Sequence, residues 1–123
     1  GHYRAPRGSR LHKGIDYETV KGSSILSPVA GKITKHGYCY GDDLKWRYVE
    51  VTADDSGQRH RLFYVEPLSP SAQPVGDSVE AGYVIGTAQA ISEKWGDEMT
   101  DHIHHEILDT QGNDYDPADK ENW

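Results

Sequence analysis

Short stretches in which apolar and polar residues alternate run through this chain, with turns between them. The clearest are 46–53 (WRYVEVTA) and 59–66 (RHRLFYVE), and the turn sequence Asp55-Ser56-Gly57 lies between them. Successive side chains of a strand point to opposite faces of a sheet, so this pattern predicts two half-buried strands joined as an antiparallel hairpin. The chain is therefore predicted to be mainly β.

The rest of the chain follows the same plan. The segment 24–35 (SILSPVAGKITK) predicts a strand, a turn and a second strand, and 102–108 (HIHHEIL) predicts a last strand. Residues 88–99 favour one short helix ended by Gly96, and 113–123 is expected to be a polar tail. No linker or repeat divides the sequence, so we expect a single domain over 1–123, built on antiparallel sheet with at most one short helix.

Charge and composition exclude several classes of partner. The formal net charge of −7 argues against nucleic acid, which is bound by clustered Lys and Arg. No apolar run is long enough to span a membrane, and no secretion signal is recognisable at the start. Cys39 is the only cysteine, so an internal disulfide is impossible. We expect a monomer that binds neither nucleic acid nor membrane.

Two short motifs contain potential metal ligands. His102 and His104 are two residues apart, which places both imidazoles on one face of a strand. His12 and Asp16 are four apart, which also keeps them on one face. Each motif alone occurs more often with ordinary surface or core histidines than with metal ligands, but together the two motifs favour a metal. Two His and one Asp would give zinc three ligands and leave a fourth position open, as in catalytic sites.

The sequence also resembles the lysostaphin/LytM-type zinc metallopeptidases, which are murein endopeptidases. The similar segments, in the family's order, are HKGID at 12–16, SPVAGKI at 27–33, VGDSVEAGYVIG at 75–86 and DHIHHE at 101–106. The resemblance implies a β fold with a groove, of the duplicated-hybrid-motif type. It also implies cleavage of peptides in bacterial peptidoglycan. A biotinyl or lipoyl carrier, which shares the turn sequences, would need an exposed lysine on a hairpin, usually framed by Met, and the chain has no such hairpin.

The resemblance assigns roles to individual residues. His12, Asp16 and His104 match the ligands of one Zn²⁺ ion, and His102 matches a catalytic histidine. Two further residues are expected to bind substrate from their positions in the sequence. Tyr64 lies two residues before Glu66, on the same face of the predicted strand 59–66, so its hydroxyl is expected to reach the groove. Arg10 precedes the first metal motif, where it would meet a carboxylate of the wall peptide.

The sequence departs from the family at one catalytic position. Family enzymes have a Tyr-x-His segment, and this chain has Tyr64-Val65-Glu66-Pro67 instead, with Glu66 in the place of the histidine. Glu66 is a candidate general base, because carboxylates serve that purpose in other zinc peptidases. His60 is no replacement, because six residues of strand span roughly 20 Å. We expect His60 to be an exposed strand residue near the turn.

These features predict a zinc endopeptidase that acts on peptidoglycan stem peptides or cross-bridges. The alternative is a zinc-binding but non-catalytic module on the same scaffold, similar to a leukocyte chemotaxin related to the family. The substrate implies an extracellular, periplasmic or virion-associated protein. An acidic chain without a recognisable signal favours delivery by a phage or a secreted effector.

Overall fold

The computed structural model describes residues 6–7, 10–11, 14–96 and 100–123. Within them the chain forms mainly strands, with one α-helix and one turn of 3-10 helix. The strands are β1 (Pro6–Arg7), β2 (Arg10–Leu11), β3 (Ile15–Glu18), β4 (Ser24–Leu26), β5 (Gly31–Tyr38), β6 (Arg47–Ala53), β7 (Arg59–Phe63), β8 (Val65–Pro67), β9 (Ser78–Val79), β10 (Val84–Ala88), β11 (His102–Leu108) and β12 (Asp114–Tyr115); the helices are α1 (Ser92–Trp95) and the 3-10 turn Lys120–Asn122.

The strands form one large sheet, one small sheet and a short hairpin. The large sheet has the order β12-β11-β7-β6-β5-β9, and β3 also pairs with β11. The small sheet has the order β4-β10-β8, and β1 pairs with β2. Every pair is antiparallel, so the predicted mainly β, antiparallel fold is confirmed. Both β3 and β12 lie along the edge of β11 that faces away from β7.

The core lies between the large and the small sheet. Its buried side chains come from both sheets: Ile25, Ile33, Val49, Val51, Leu62, Val65, Val79, Ile85, Ala88 and Ile103. On β11 burial alternates strictly, with 103, 105 and 107 buried and the residues between them half-buried. The even-numbered residues of β11 therefore form the opposite face of the sheet, and this face carries both histidines of the His-x-His motif.

The predicted return strand 59–66 is divided in two. Tyr64 has φ of 68°, and it is the single non-glycine residue with positive φ among those the structure describes. The chain turns there from the large sheet into the small one, where Val65–Pro67 pairs with β10. The alternation of side chains is interrupted at Tyr64, so the strand parity of β7 does not extend to Glu66.

The expected position of His60 was wrong. His60 is fully buried, and its Nδ1 lies 2.9 Å from Nε2 of His105, which is also buried. Trp123 packs edge-on against both imidazole rings. Residues 113–123, expected to be a polar tail, also pack against the fold. Within them β12 extends the large sheet and Pro117 is buried.

A short helix was predicted within residues 88–99, and α1 (Ser92–Trp95) lies there, with Gly96 capping its C-terminal end as expected. The helix is shorter than the predicted segment, because Ala88 belongs to β10. In the parts of the chain that the structure describes, no helix has the length and apolar character that crossing a membrane requires.

Candidate metal and catalytic site

Asp16 and His104 are brought together by the pairing of β3 with β11. They are direct cross-strand partners, and Asp16 Oδ1 lies 2.6 Å from His104 Nδ1. Side chains directly opposite each other on neighbouring strands project from the same face. The antiparallel register thus places two predicted metal ligands, 88 residues apart in sequence, side by side.

Gly14 allows β3 to approach β11 closely. It has φ of 97°, a conformation that L side chains rarely adopt, and a Cβ atom there would overlap the carbonyl oxygen of His105. Only glycine satisfies both conditions at this position. Gly14 is therefore required by the fold, and it fixes how closely β3, which carries Asp16, meets β11.

His104 contacts a carboxylate on each side of its ring. Its Nδ1 faces Asp16, and its Nε2 lies 3.0 Å from Oε2 of Glu106, two residues further along β11. Burial alone would lower the pKa of His104, but the hydrogen bonds to Asp16 and Glu106 outweigh it and raise the pKa to about 9. Glu106 thus fixes the orientation of the ring from the side opposite Asp16.

His102 lies on the same face and has a defined tautomer. Its Nδ1 is 2.8 Å from the carbonyl oxygen of Thr100, which can only accept, so Nδ1 carries the hydrogen. Its Nε2 faces Asp16, with 3.9 Å to Oδ2. In the neutral ring this nitrogen carries the lone pair, and it is oriented toward Asp16.

These side chains line an open cavity of about 470 Å³. The described residues around it are Asp16, Cys39, Tyr40, Phe63, Tyr64, Trp95, His102, His104 and Glu106. Phe63 is the cross-strand neighbour of His104 on β7, and their rings are 5.7 Å apart. The cavity therefore has acidic and imidazole groups on one side and aromatic rings on the other.

Of the other predicted site residues, Tyr64 lines the cavity and Glu66 does not. Glu66 is exposed on β8 and lines a separate pocket with Lys45 and Gln89. The reason is the turn at Tyr64, which moves the next residues into the small sheet. His12 lies outside the described residues, as does the side chain of Arg10, although Arg10 itself belongs to β2.

Sequence reasoning missed several residues of the site. Tyr40 and Cys39 follow β5, and Trp95, which also lines the cavity, is 56% exposed on α1. No local motif marks these positions. Glu106 had a usable signal, because it is two residues from His104 and so shares its face of the strand.

The donor set fits a metal ion in its chemistry. Within residues 14–96 and 100–123, no three His, Cys, Asp or Glu side chains are arranged so that they could hold a metal ion by themselves. The two predicted ligands inside this range, Asp16 and His104, are close enough to share one ion, and they offer the O and N donors that zinc accepts. A ligating histidine usually gives its second nitrogen to a carboxylate, and Glu106 meets that requirement.

Comparisons with known proteins identify the family and the fold. The chain is 30% identical over 98 residues to an uncharacterized metalloprotease of Haemophilus influenzae. These residues make up 80% of the chain but only 18% of that protein. It is 27% identical over 109 residues to leukocyte cell-derived chemotaxin-2 of Bos taurus, covering 89% of the chain and 68% of the relative. The catalytic domain of the antimicrobial peptidase lysostaphin from Staphylococcus simulans superposes with a TM-score of 0.73 at 22% identity, over 96% of this chain and 86% of that domain. The lysostaphin-like fold is thereby confirmed. Residues 10–117 match the model of peptidase family M23, and the chain therefore belongs to that family.

Proposed function

We propose that this chain is a zinc-dependent endopeptidase that hydrolyses peptide bonds of bacterial peptidoglycan, in the stem peptide or the cross-bridge. Membership of peptidase family M23 supports a hydrolase of this type. The observation that carries the proposal is the pairing of Asp16 with His104, with His102 on the same face of an open cavity. Such a substrate places the protein outside the cytoplasm: extracellular, periplasmic or on a virion.

In this proposal Asp16 and His104 hold the ion together with His12. The motif spacing at 12–16 and the resemblance of HKGID to the family's ligand segment support His12 as the third ligand. When bound, zinc would polarise the scissile carbonyl and lower the pKa of a water molecule toward neutrality. Glu106 keeps the His104 ring in place through its second nitrogen.

His102 acts as the proton-transferring group in this proposal. Its Nδ1–H is held by the Thr100 carbonyl, so its Nε2 is available to accept a proton at the cavity. Accepting that proton leaves an imidazolium beside Asp16, whose carboxylate stabilises the charge. The same nitrogen can then return the proton to the leaving amine.

Incubation of the zinc-loaded protein with purified bacterial sacculi tests the proposal. We expect soluble peptide fragments, detected by chromatography and mass spectrometry, and their loss in His102→Ala. His36→Ala is the matched control, because His36 is a half-buried histidine of β5 that does not line the cavity. If the protein with full zinc occupancy releases no fragments, the proposed activity is wrong.

The second candidate is a zinc-binding module without catalytic activity. It is favoured by the position of Glu66 outside the cavity and by the 27% identity to the chemotaxin. In that case the zinc-loaded protein would sediment with sacculi or bind a protein partner, and the bound wall or partner would keep its mass because no bond is cleaved. The sacculus experiment separates the two functions, since only an enzyme changes the covalent structure of the wall.

A further inference from the structure

We propose that the phenol of Tyr64, supported by Tyr40, is the hydrogen-bond donor that stabilises the transition state in place of the histidine absent at position 66. This inference rests on the proposed peptidase function. It assigns a catalytic contact to Tyr64 and a positioning role to Tyr40. It also explains how a chain with Glu66 turned into another pocket can complete its site.

The backbone at Tyr64 is held in a costly conformation. Positive φ is unfavourable for a residue with a Cβ atom, and such residues occur preferentially at functional sites. The Tyr64 N–H donates to the Arg47 carbonyl at 2.8 Å, and the Tyr64 carbonyl accepts from the Gln89 N–H at 2.9 Å. These bonds to β6 and to the residue after β10 fix Tyr64 at the junction of the two sheets.

This conformation directs the ring into the cavity. The Tyr64 ring stands edge-on to His102, with 5.4 Å between ring centroids and an interplanar angle of 89°. Both side chains line the same cavity as His104. The phenol is therefore next to the imidazole that transfers the proton and within the space where a bound peptide would react.

Among the described residues, the Tyr64 hydroxyl has one hydrogen-bond neighbour, the Tyr40 hydroxyl. It lies 3.3 Å from the Tyr40 hydroxyl, longer than a typical bond between hydroxyl groups, so its proton is only weakly engaged. If Tyr64 donates to a substrate oxygen, Tyr40 can donate to the Tyr64 oxygen and strengthen that bond. Burial raises the pKa of Tyr64, so the phenol keeps its proton and can act as a donor at neutral pH.

Other groups on this wall are less suitable as donors. Tyr40 and Tyr64 carry the only hydroxyl groups among the described residues that line the cavity. The Cys39 thiol donates to the Arg47 carbonyl at 3.1 Å, and burial raises its pKa to about 11. Asp16 and Glu106 are acceptors when ionised. Of the two hydroxyl groups, that of Tyr64 belongs to the ring in contact with His102, so we assign it as the donor to a developing oxyanion on the substrate.

Kinetics of phenylalanine variants test the inference. Removing one donor to an oxyanion commonly lowers kcat about 10²- to 10³-fold. For Tyr64→Phe we expect kcat to fall about 10²-fold while KM is nearly unchanged, because the hydrogen bond is made in the transition state. For Tyr40→Phe we expect kcat to fall about tenfold. Tyr83→Phe is the matched control, since Tyr83 is half-exposed and outside the cavity.

Ligand binding gives a second readout that does not depend on turnover. One probe is the product peptide released from sacculi. The other is a phosphinic analogue of the uncut peptide, in which a phosphinate replaces the scissile amide and mimics the tetrahedral transition state. Each is titrated into the zinc-loaded protein by calorimetry. We expect Tyr64→Phe to weaken the analogue at least tenfold and to leave the affinity for the product peptide unchanged. A wild-type protein that cuts nothing overturns the proposed function and this inference with it. An active wild type with Tyr64→Phe equally active, or equally tight for the analogue, overturns only the inference.

Discussion

The buried pair His60 and His105 makes the folded chain sensitive to acid. Their facing nitrogens are 2.9 Å apart, so one neutral ring donates and the other accepts. Nε2 of His60 is buried without a hydrogen-bond partner within the described residues, and Trp123 covers both rings. A proton added to either ring therefore creates a positive charge that is shielded from water, and it can also disrupt the shared hydrogen bond. Either consequence lowers the stability of the folded chain.

The pKa shifts give the sign and the size of the effect. Burial lowers the pKa of His60 from 6.5 to about 4, although Asp55 acts in the opposite direction. Burial, with smaller contributions from His60 and His104, lowers the pKa of His105 to about 3. The unfolded chain then binds more protons, so stability is fully present above pH 6.5 and is lost as pH falls. Between pH 6.5 and 5 the pair together removes about 3 kcal/mol of the free energy of unfolding.

Urea unfolding of the metal-free protein at pH 5, 5.5, 6 and 6.5 measures this loss. The window excludes His104, whose raised pKa of about 9 makes its contribution constant below pH 6.5 and lost only above it. In His60→Leu the loss of unfolding free energy across the window should be smaller by about half of the pair's share, because one of the pair's two titrating groups is gone. His36, whose pKa burial also lowers, titrates in both proteins and does not affect the difference between them. Equal pH dependence in both proteins, or none in the wild type, would refute the reasoning.

Two further predictions concern the metal site. Gly14→Ala should lower the free energy of unfolding by clearly more than Gly57→Ala and should also weaken zinc binding. Both glycines have positive φ, which costs about 1–2 kcal/mol for alanine, but only at Gly14 would a Cβ atom overlap the His105 carbonyl. Equal losses in urea unfolding would show that the close approach is unimportant. Glu106→Gln should weaken zinc binding about tenfold, because it removes the charged partner of His104. Competition with a chromophoric chelator measures this affinity, and Glu80→Gln, at an exposed position, should leave it unchanged. Unchanged affinity in Glu106→Gln would mean that Glu106 does not orient His104.

Local sequence determined the parts of this protein that depend on strand period and on turns. The alternation along 102–108 was sufficient to place His102 and His104 together on one face and His105 on the other, because period two persists wherever a strand is continuous. The helix end at Gly96 was equally local. The resemblance of four short motifs identified the family and its fold.

Only the tertiary structure decided where those faces lead. A single positive φ at Tyr64 breaks the period, so Glu66 enters the small sheet while Tyr64 enters the cavity. The pairing of His60 with His105 and the proximity of Asp16 to His104 join residues 45 and 88 positions apart. Such contacts depend on which strands become neighbours and in which register, and no local pattern in the sequence specifies that.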